Sequence, residues 1–116
     1  ILKGYDLSIE DRLTIVSAIS NHDESTGRAM DAISAALIIA DKTDVRRNRV
    51  RDEIASFDIH DRVNYAVFSS KLDIDGESKK IFLTLKIDTL ICPVMEYFEI
   101  FLDRMVLCKK SAAFLG

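Results

Sequence analysis

The sequence predicts an α+β fold, mainly helical, in which helices are followed by a β-hairpin and a long C-terminal helix. Three observations carry this. Apolar residues recur at helical spacing up to about residue 57, alternate with polar ones between Asn64 and Asp88, and return to helical spacing after Pro93. The chain has 116 residues, 48% of them hydrophobic and 30% charged, with one proline, which suits a folded domain with one compact core rather than a disordered segment. The expected organisation is a single domain over 1–116, divided into a helical part (1–57), a β-hairpin part (58–90) and a C-terminal helix (91–116).

The first helix is expected over about 8–21. Ser8 is a suitable N-cap, Glu10 and Asp11 suit the positive end of the helix dipole, and Leu13, Val16 and Ile19, widened by Ile15, form an apolar stripe. A polar loop from Asn21 to Gly27 ends it. The second helix, about 28–42, carries Ala32, Ile33, Ala35, Ala36, Leu37, Ile38, Ile39 and Ala40. A helix apolar on every side is normally buried. Residues 43–57 keep helical character, with Asp44, Asp52 and Glu53 set among arginines.

The period then changes to two. Asn64 to Asp75 and Lys80 to Asp88 are β-rich runs joined around Gly76-Glu77-Ser78, with Leu72 and Ile74 set against Asp73 and Asp75, and Ile81, Leu83, Leu85 and Ile87 set against Phe82, Thr84 and Lys86. Asp73-x-Asp75-Gly76-Glu77 lacks the remaining ligands of a calcium loop and reads as a hairpin turn. Pro93 suits the first turn of a helix over 94–110, with Tyr97, Phe98, Phe101 and Met105 on one stripe, broadened by Met95, Leu102 and Val106.

A formal net charge of −3 points to neither a nucleic-acid nor a membrane partner, and the segment 90–107 is too charged to span a bilayer. Cys92 and Cys108 lie far apart without metal-ligand spacing, so both read as core thiols in a reducing, cytoplasmic setting. Because the chain opens on Ile1 rather than methionine, it is expected to belong to a longer parent.

Chemistry concentrates where the apolar helix ends. Asp41 is delivered to the edge of a core, where a carboxylate must be paired, hydrogen-bonded or bound to metal. Asp41 reads equally as a metal ligand or as a helix-end carboxylate paired with Lys42 or Arg46, and His22 as a ligand or as a capping or surface histidine. Arg46, Arg47 and Arg49 follow, and guanidinium binds phosphate in bidentate fashion, although the same residues fit a solvated helix laced with acidic partners. No glycine-rich phosphate loop is present, and no serine occupies a nucleophile elbow.

His22 within Ser20-Asn21-His22-Asp23-Glu24, followed by an apolar helix closing on Ala40-Asp41-Lys42-Thr43-Asp44, resembles the second half of an HD-superfamily metal-dependent phosphohydrolase domain. There the closing helix ends in Ala-Asp-Lys/Arg-x-Asp, and its first aspartate completes a metal site. The continuation through Arg46, Arg47, Arg49 and Asp58-Ile59-His60-Asp61, the hairpin and the helix after Pro93 is similar to HD-domain proteins that append a hairpin and a long helix. The family's upstream histidine and His-Asp dyad have no counterpart. His22-Asp23 stands only one helix before Asp41, and His60-Asp61 comes after it, whereas the family order is dyad first and closing aspartate last.

The resemblance implies that Asp41 holds a divalent metal (Mn, Fe or Mg) in the parent, with His22 as a second ligand or a phosphate contact and Arg46, Arg47 and Arg49 on phosphate. A metal-activated water would attack the phosphorus of a phosphate ester, nucleotide-like in character. This chain alone, short of the dyad, is expected to be inactive and need carry no metal. A second reading, from the residues, is a non-catalytic dimerisation or protein-interaction module forming a homodimer. Its warrant is the apolar surface of the last helix and the free hairpin edges.

Overall fold

The computed structural model describes residues 2–23, 26–45, 47–49 and 58–116, apart from the side chains of Lys3 and Arg49. Its described residues form an α+β fold, mainly helical, with a two-stranded antiparallel sheet and a long C-terminal helix. The elements are α1 (Ile9–Ser20), α2 (Ala32–Thr43), α3 (Ile59–Ala66), β1 (Val67–Asp75), β2 (Lys80–Ile87) and α4 (Val94–Leu115), with short 3-10 turns at Leu2–Gly4 and Arg47–Arg49. Among the described residues, no helix is long and apolar enough to cross a membrane.

Two compact units are present. One comprises residues up to Asp41 together with Val106–Gly116, the other Lys42–Met105. In the first unit the buried apolar side chains are Ala18, Ala35, Ile38, Ile39 and Leu107. Helix α1 is capped as expected: Ser8 Oγ accepts from the Asp11 amide at 3.0 Å. Its C-terminal carbonyls are closed by side chains, Ser20 Oγ donating to Val16, Asn21 Nδ2 to Ser17 and His22 Nδ1 to Ile19. Its orientation departs from expectation. The stripe Leu13, Val16 and Ile19 faces solvent, and the buried position is the small Ala18.

Helix α2 starts at Ala32, four residues later than expected, because Asp31 caps it. The Asp31 carboxylate accepts from the Ser34 amide at 2.7 Å, and Ser34 Oγ in return accepts from the Asp31 amide at 2.9 Å. This is a reciprocal capping box in which serine takes the place usual for glutamate. Nor is the helix buried all round: Ser34, Ala35, Ile38 and Ile39 are buried while Ala32, Ile33, Ala36 and Ala40 are exposed. Just before it, a Cβ on Gly27 would run into the carbonyl oxygens of Asp23 and Asn21, so only glycine permits that close approach.

The second unit has one core of Val45, Val63, Ala66, Val67, Cys92, Tyr97 and Phe101, with Leu85, Ile87, Ile91, Ile100 and Met105 packed against it. Tyr97 stacks on Phe101 with ring centroids 4.7 Å apart. Asn64 to Ala66, expected to open the first strand, instead end helix α3, and the strand begins at Val67. Asp58 caps this helix by accepting from the Asp61 amide at 2.8 Å, and its buried Val63 and Ala66 reward the helical spacing. That packing outweighs the strand preference of Tyr65. Most of the connector over 43–57 lies outside the described residues; within it, Arg47–Arg49 is a 3-10 turn.

Strands β1 and β2 pair antiparallel from Val67 opposite Ile87 to Asp75 opposite Lys80. The alternation in β2 is as expected, with Ile81, Leu83, Leu85 and Ile87 half-buried and Phe82, Thr84 and Lys86 exposed. Between Val67 and Ser69 the register shifts, so Phe68 is the extra residue of a β-bulge. The bulge turns Val67 into the core and leaves Phe68 outside. At the hairpin tip the left-handed backbone falls on Lys79, at φ 52°, not on Gly76. Helix α4 runs one turn past Lys110 to Leu115, and Pro93 precedes it rather than joining its first turn, its carbonyl accepting from the Tyr97 amide at 3.1 Å.

Candidate functional site

His22 and Asp41 both belong to the first unit. His22 closes the end of α1, where its Nδ1 donates to the Ile19 carbonyl, and Nε2 is the ring nitrogen this bond does not use. Asp41 is half-buried in the last turn of α2, beside the buried Lys42. Hydrolysis at a divalent metal calls for about three or more protein ligands. Among the described residues no group of three His, Cys, Asp or Glu side chains comes together that could hold one. The donor set here is two residues, which does not fit a hydrolytic metal site by itself.

Of the three arginines expected at phosphate, Arg46 and the Arg49 side chain lie outside the described residues. Arg47 is engaged within the second unit. Its Nε donates to the Tyr65 carbonyl at 2.8 Å and its guanidinium lies 4.4 Å from the centre of the Tyr65 ring. Both contacts anchor the turn at Arg47–Arg49 to the end of α3.

The same unit holds a polar cluster that sequence reasoning missed. Arg62 on α3 pairs with Glu96 on α4 at 2.8 Å, and the buried Cys92 thiol lies 3.5 Å from the Pro93 carbonyl and 3.8 Å from Glu96 Oε2. Burial, and then the charge of Glu96, push the Cys92 thiol up, so it stays protonated. A protonated thiol is a weaker nucleophile than a thiolate, and the group links α3 to α4 through the Arg62–Glu96 pair. The signal was available in Asp58-x-x-Asp61, a helix start that would have placed Arg62 one turn inside α3.

The most unusual feature of the surface is apolar. Helix α1 exposes Ile9, Leu13 (65%), Val16 (51%) and Ile19, all on one side. Helix α4 exposes Met95 (73%), Phe98, Leu102 (56%) and Val106 (41%), again at helical spacing. Single exposed apolar residues are ordinary, whereas contiguous rows of them mark surfaces that other molecules cover. No family model, curated protein or solved structure matches the chain.

Proposed function

We propose that this chain is a non-catalytic dimerisation module whose working surface is a helix face. The observation that carries the reading is the row of exposed apolar residues on the first half of α4, where Met95, Phe98 and Leu102 recur at helical spacing and face water. Leaving such a row wet forgoes roughly 25 cal/mol for each Å² of apolar surface that a partner would cover.

The phosphohydrolase reading needs further metal ligands beyond His22 and Asp41. Sedimentation equilibrium over a wide concentration range, with metal content measured by plasma emission on the same sample, separates the two. A reversible dimer with no stoichiometric metal supports the module. A monomer holding one Mn, Fe or Mg per chain, lost on Asp41→Ala, would overturn it and favour hydrolysis.

A further inference from the structure

Resting on that reading, we infer that the second copy joins along β2, edge to edge and antiparallel, so that two hairpins become one four-stranded sheet. The strand has an open side. Among the described residues the sheet has two strands, and the backbone of β2 bonds to β1 and to nothing else. Every second amide and carbonyl along Lys80–Ile87 is thus left for another strand to complete. Strand β1 is the poorer edge. A bulge interrupts it at Phe68, and Ser70 Oγ donates to the Thr43 carbonyl at 2.7 Å, which brings Thr43 up to it.

Symmetry and charge set the register. A two-fold axis perpendicular to the sheet makes one residue of β2 face its own copy, and residues equally far to either side of it then face each other. Only centres at Leu83 and Thr84 let the strand pair over nearly all of Lys80–Ile87. A centre at Leu83 sets Lys80 opposite Lys86 twice, like charge against like. A centre at Thr84 removes that clash: Lys80 comes opposite Asp88, and Lys86 opposite the exposed Phe82, whose ring the lysine stem covers. On the other face Leu83 meets Leu85 and Ile81 meets Ile87, and each of these pairs forms twice.

The same axis keeps both apolar faces on one side of the joined sheet, whereas a parallel pair would turn them to opposite sides. Leu85 and Ile87 pack against the core that holds Tyr97 and Phe101, so the first half of each α4 comes to that one side. Ile81 and Leu83, half-buried in one copy, gain Ile87 and Leu85 of the second copy as neighbours. A lone two-stranded hairpin is marginal in water, and four strands with one apolar face are not.

The test is cysteine cross-linking in the 116-residue chain carrying Cys108→Ser, Cys92 being buried. Directly opposed strand residues have Cα atoms about 4.5–5.5 Å apart, within the span of a disulfide, while in this register Phe82 stands about 13 Å along the strand from its own copy. With oxidised glutathione, Thr84→Cys is expected to give a disulfide-linked dimer, Phe82→Cys and Lys86→Cys about tenfold less of it each, and the Phe82→Cys, Lys86→Cys double variant as much as Thr84→Cys. All three positions are exposed, and thermal melting followed by circular dichroism monitors folding of each variant. Sedimentation equilibrium of the parent chain reads the dimer independently. A reversible dimer in which neither Thr84→Cys nor the double variant cross-links beyond the single controls would overturn the β2 pairing while leaving the module reading in place. Equal cross-linking at all three single positions would mean random collision and overturn the pairing likewise. A chain monomeric at every concentration would overturn both. Should Thr84→Cys unfold the protein, the double variant decides alone.

Discussion

Arg47 and Tyr65 hold one another by two different contacts: Arg47 Nε donates to the Tyr65 main-chain carbonyl at 2.8 Å while the guanidinium lies 4.4 Å from the centre of the same residue's ring. A hydrogen bond from a charged donor and a cation–π contact are together worth roughly 1–3 kcal/mol in a half-exposed setting. Arg47→Ala should therefore lower the unfolding free energy by that amount in urea titrations. Arg47→Lys should recover less than half of it, because an ammonium cannot present Nε and a flat face at once. A loss below about 0.3 kcal/mol in Arg47→Ala would show that the pair is incidental.

Among the described residues nothing hydrogen-bonds the buried Tyr97 hydroxyl. Such a group costs free energy relative to a hydrogen in its place, so Tyr97→Phe should leave stability unchanged or raise it by up to about 1 kcal/mol. A loss of more than 1 kcal/mol on the same titration would mean that the hydroxyl is satisfied, as by a buried water.

Burial also pushes the Tyr97 phenol up from 10.0 to about 12. Between those values the unfolded chain releases the proton and the folded chain keeps it, so the contribution of Tyr97 is full below pH 10 and is lost as pH rises towards 12. Melting temperatures recorded from pH 9 upward should fall less steeply in Tyr97→Phe than in the parent. Equal slopes would count against the buried phenol.

At the hairpin tip, Asp75 accepts from the Glu77 and Ser78 amides at 3.1 Å and from the Ser78 hydroxyl. The Ser78 hydroxyl is the first cause of a carboxyl held below its usual 3.8. Its stabilising effect is present above that value and is lost as pH falls through the folded-state pKa. In a carbon-detected NMR titration Asp75 should titrate below 3.8, and Ser78→Ala should bring it back towards that value. An Asp75 that titrates normally would show an unformed turn.

Lys79 occupies the left-handed region at φ 52°, where side chains other than glycine are strained, while Gly76 has neither a left-handed φ nor a neighbour within 4 Å of an added Cβ. Lys79→Gly should stabilise by up to about 1 kcal/mol, and Gly76→Ala should be neutral or mildly stabilising through the unfolded chain. The opposite ranking in thermal unfolding would place the left-handed residue at Gly76.

The polar-to-apolar rhythm of the chain was enough to read the elements with the strongest local signals, because those signals act within a few residues. Ser8 capping α1, the alternation from Ile81 to Ile87 and the helix that begins at Val94 all rest on short-range hydrogen bonds and sterics. The Asp75 turn was legible for the same reason. So was the capping role of His22, which stood beside metal ligation as an open alternative and whose hydrogen bond to Ile19 does not use Nε2. The Asp31–Ser34 capping box was equally local, but its serine stood where a glutamate or glutamine is looked for.

What the sequence by itself determined, then, is where the helices and strands other than α3 form and where charge and apolar surface lie along them. Which face each element buries, and that α3 forms at all, was decided only by the tertiary structure. The apolar stripe of α1 turns outward while Ala18 turns in, α3 forms because Val63 and Ala66 reach a core shared with Tyr97 and Phe101, and one bulge at Phe68 sends Val67 inside. Burial is a competition among all apolar surfaces for a limited interior, and periodicity ranks the contenders within one element but not between elements. The site obeys the same limit: a two-residue donor set or a row of wet leucine and valine side chains acquires meaning only from what stands beside it in space.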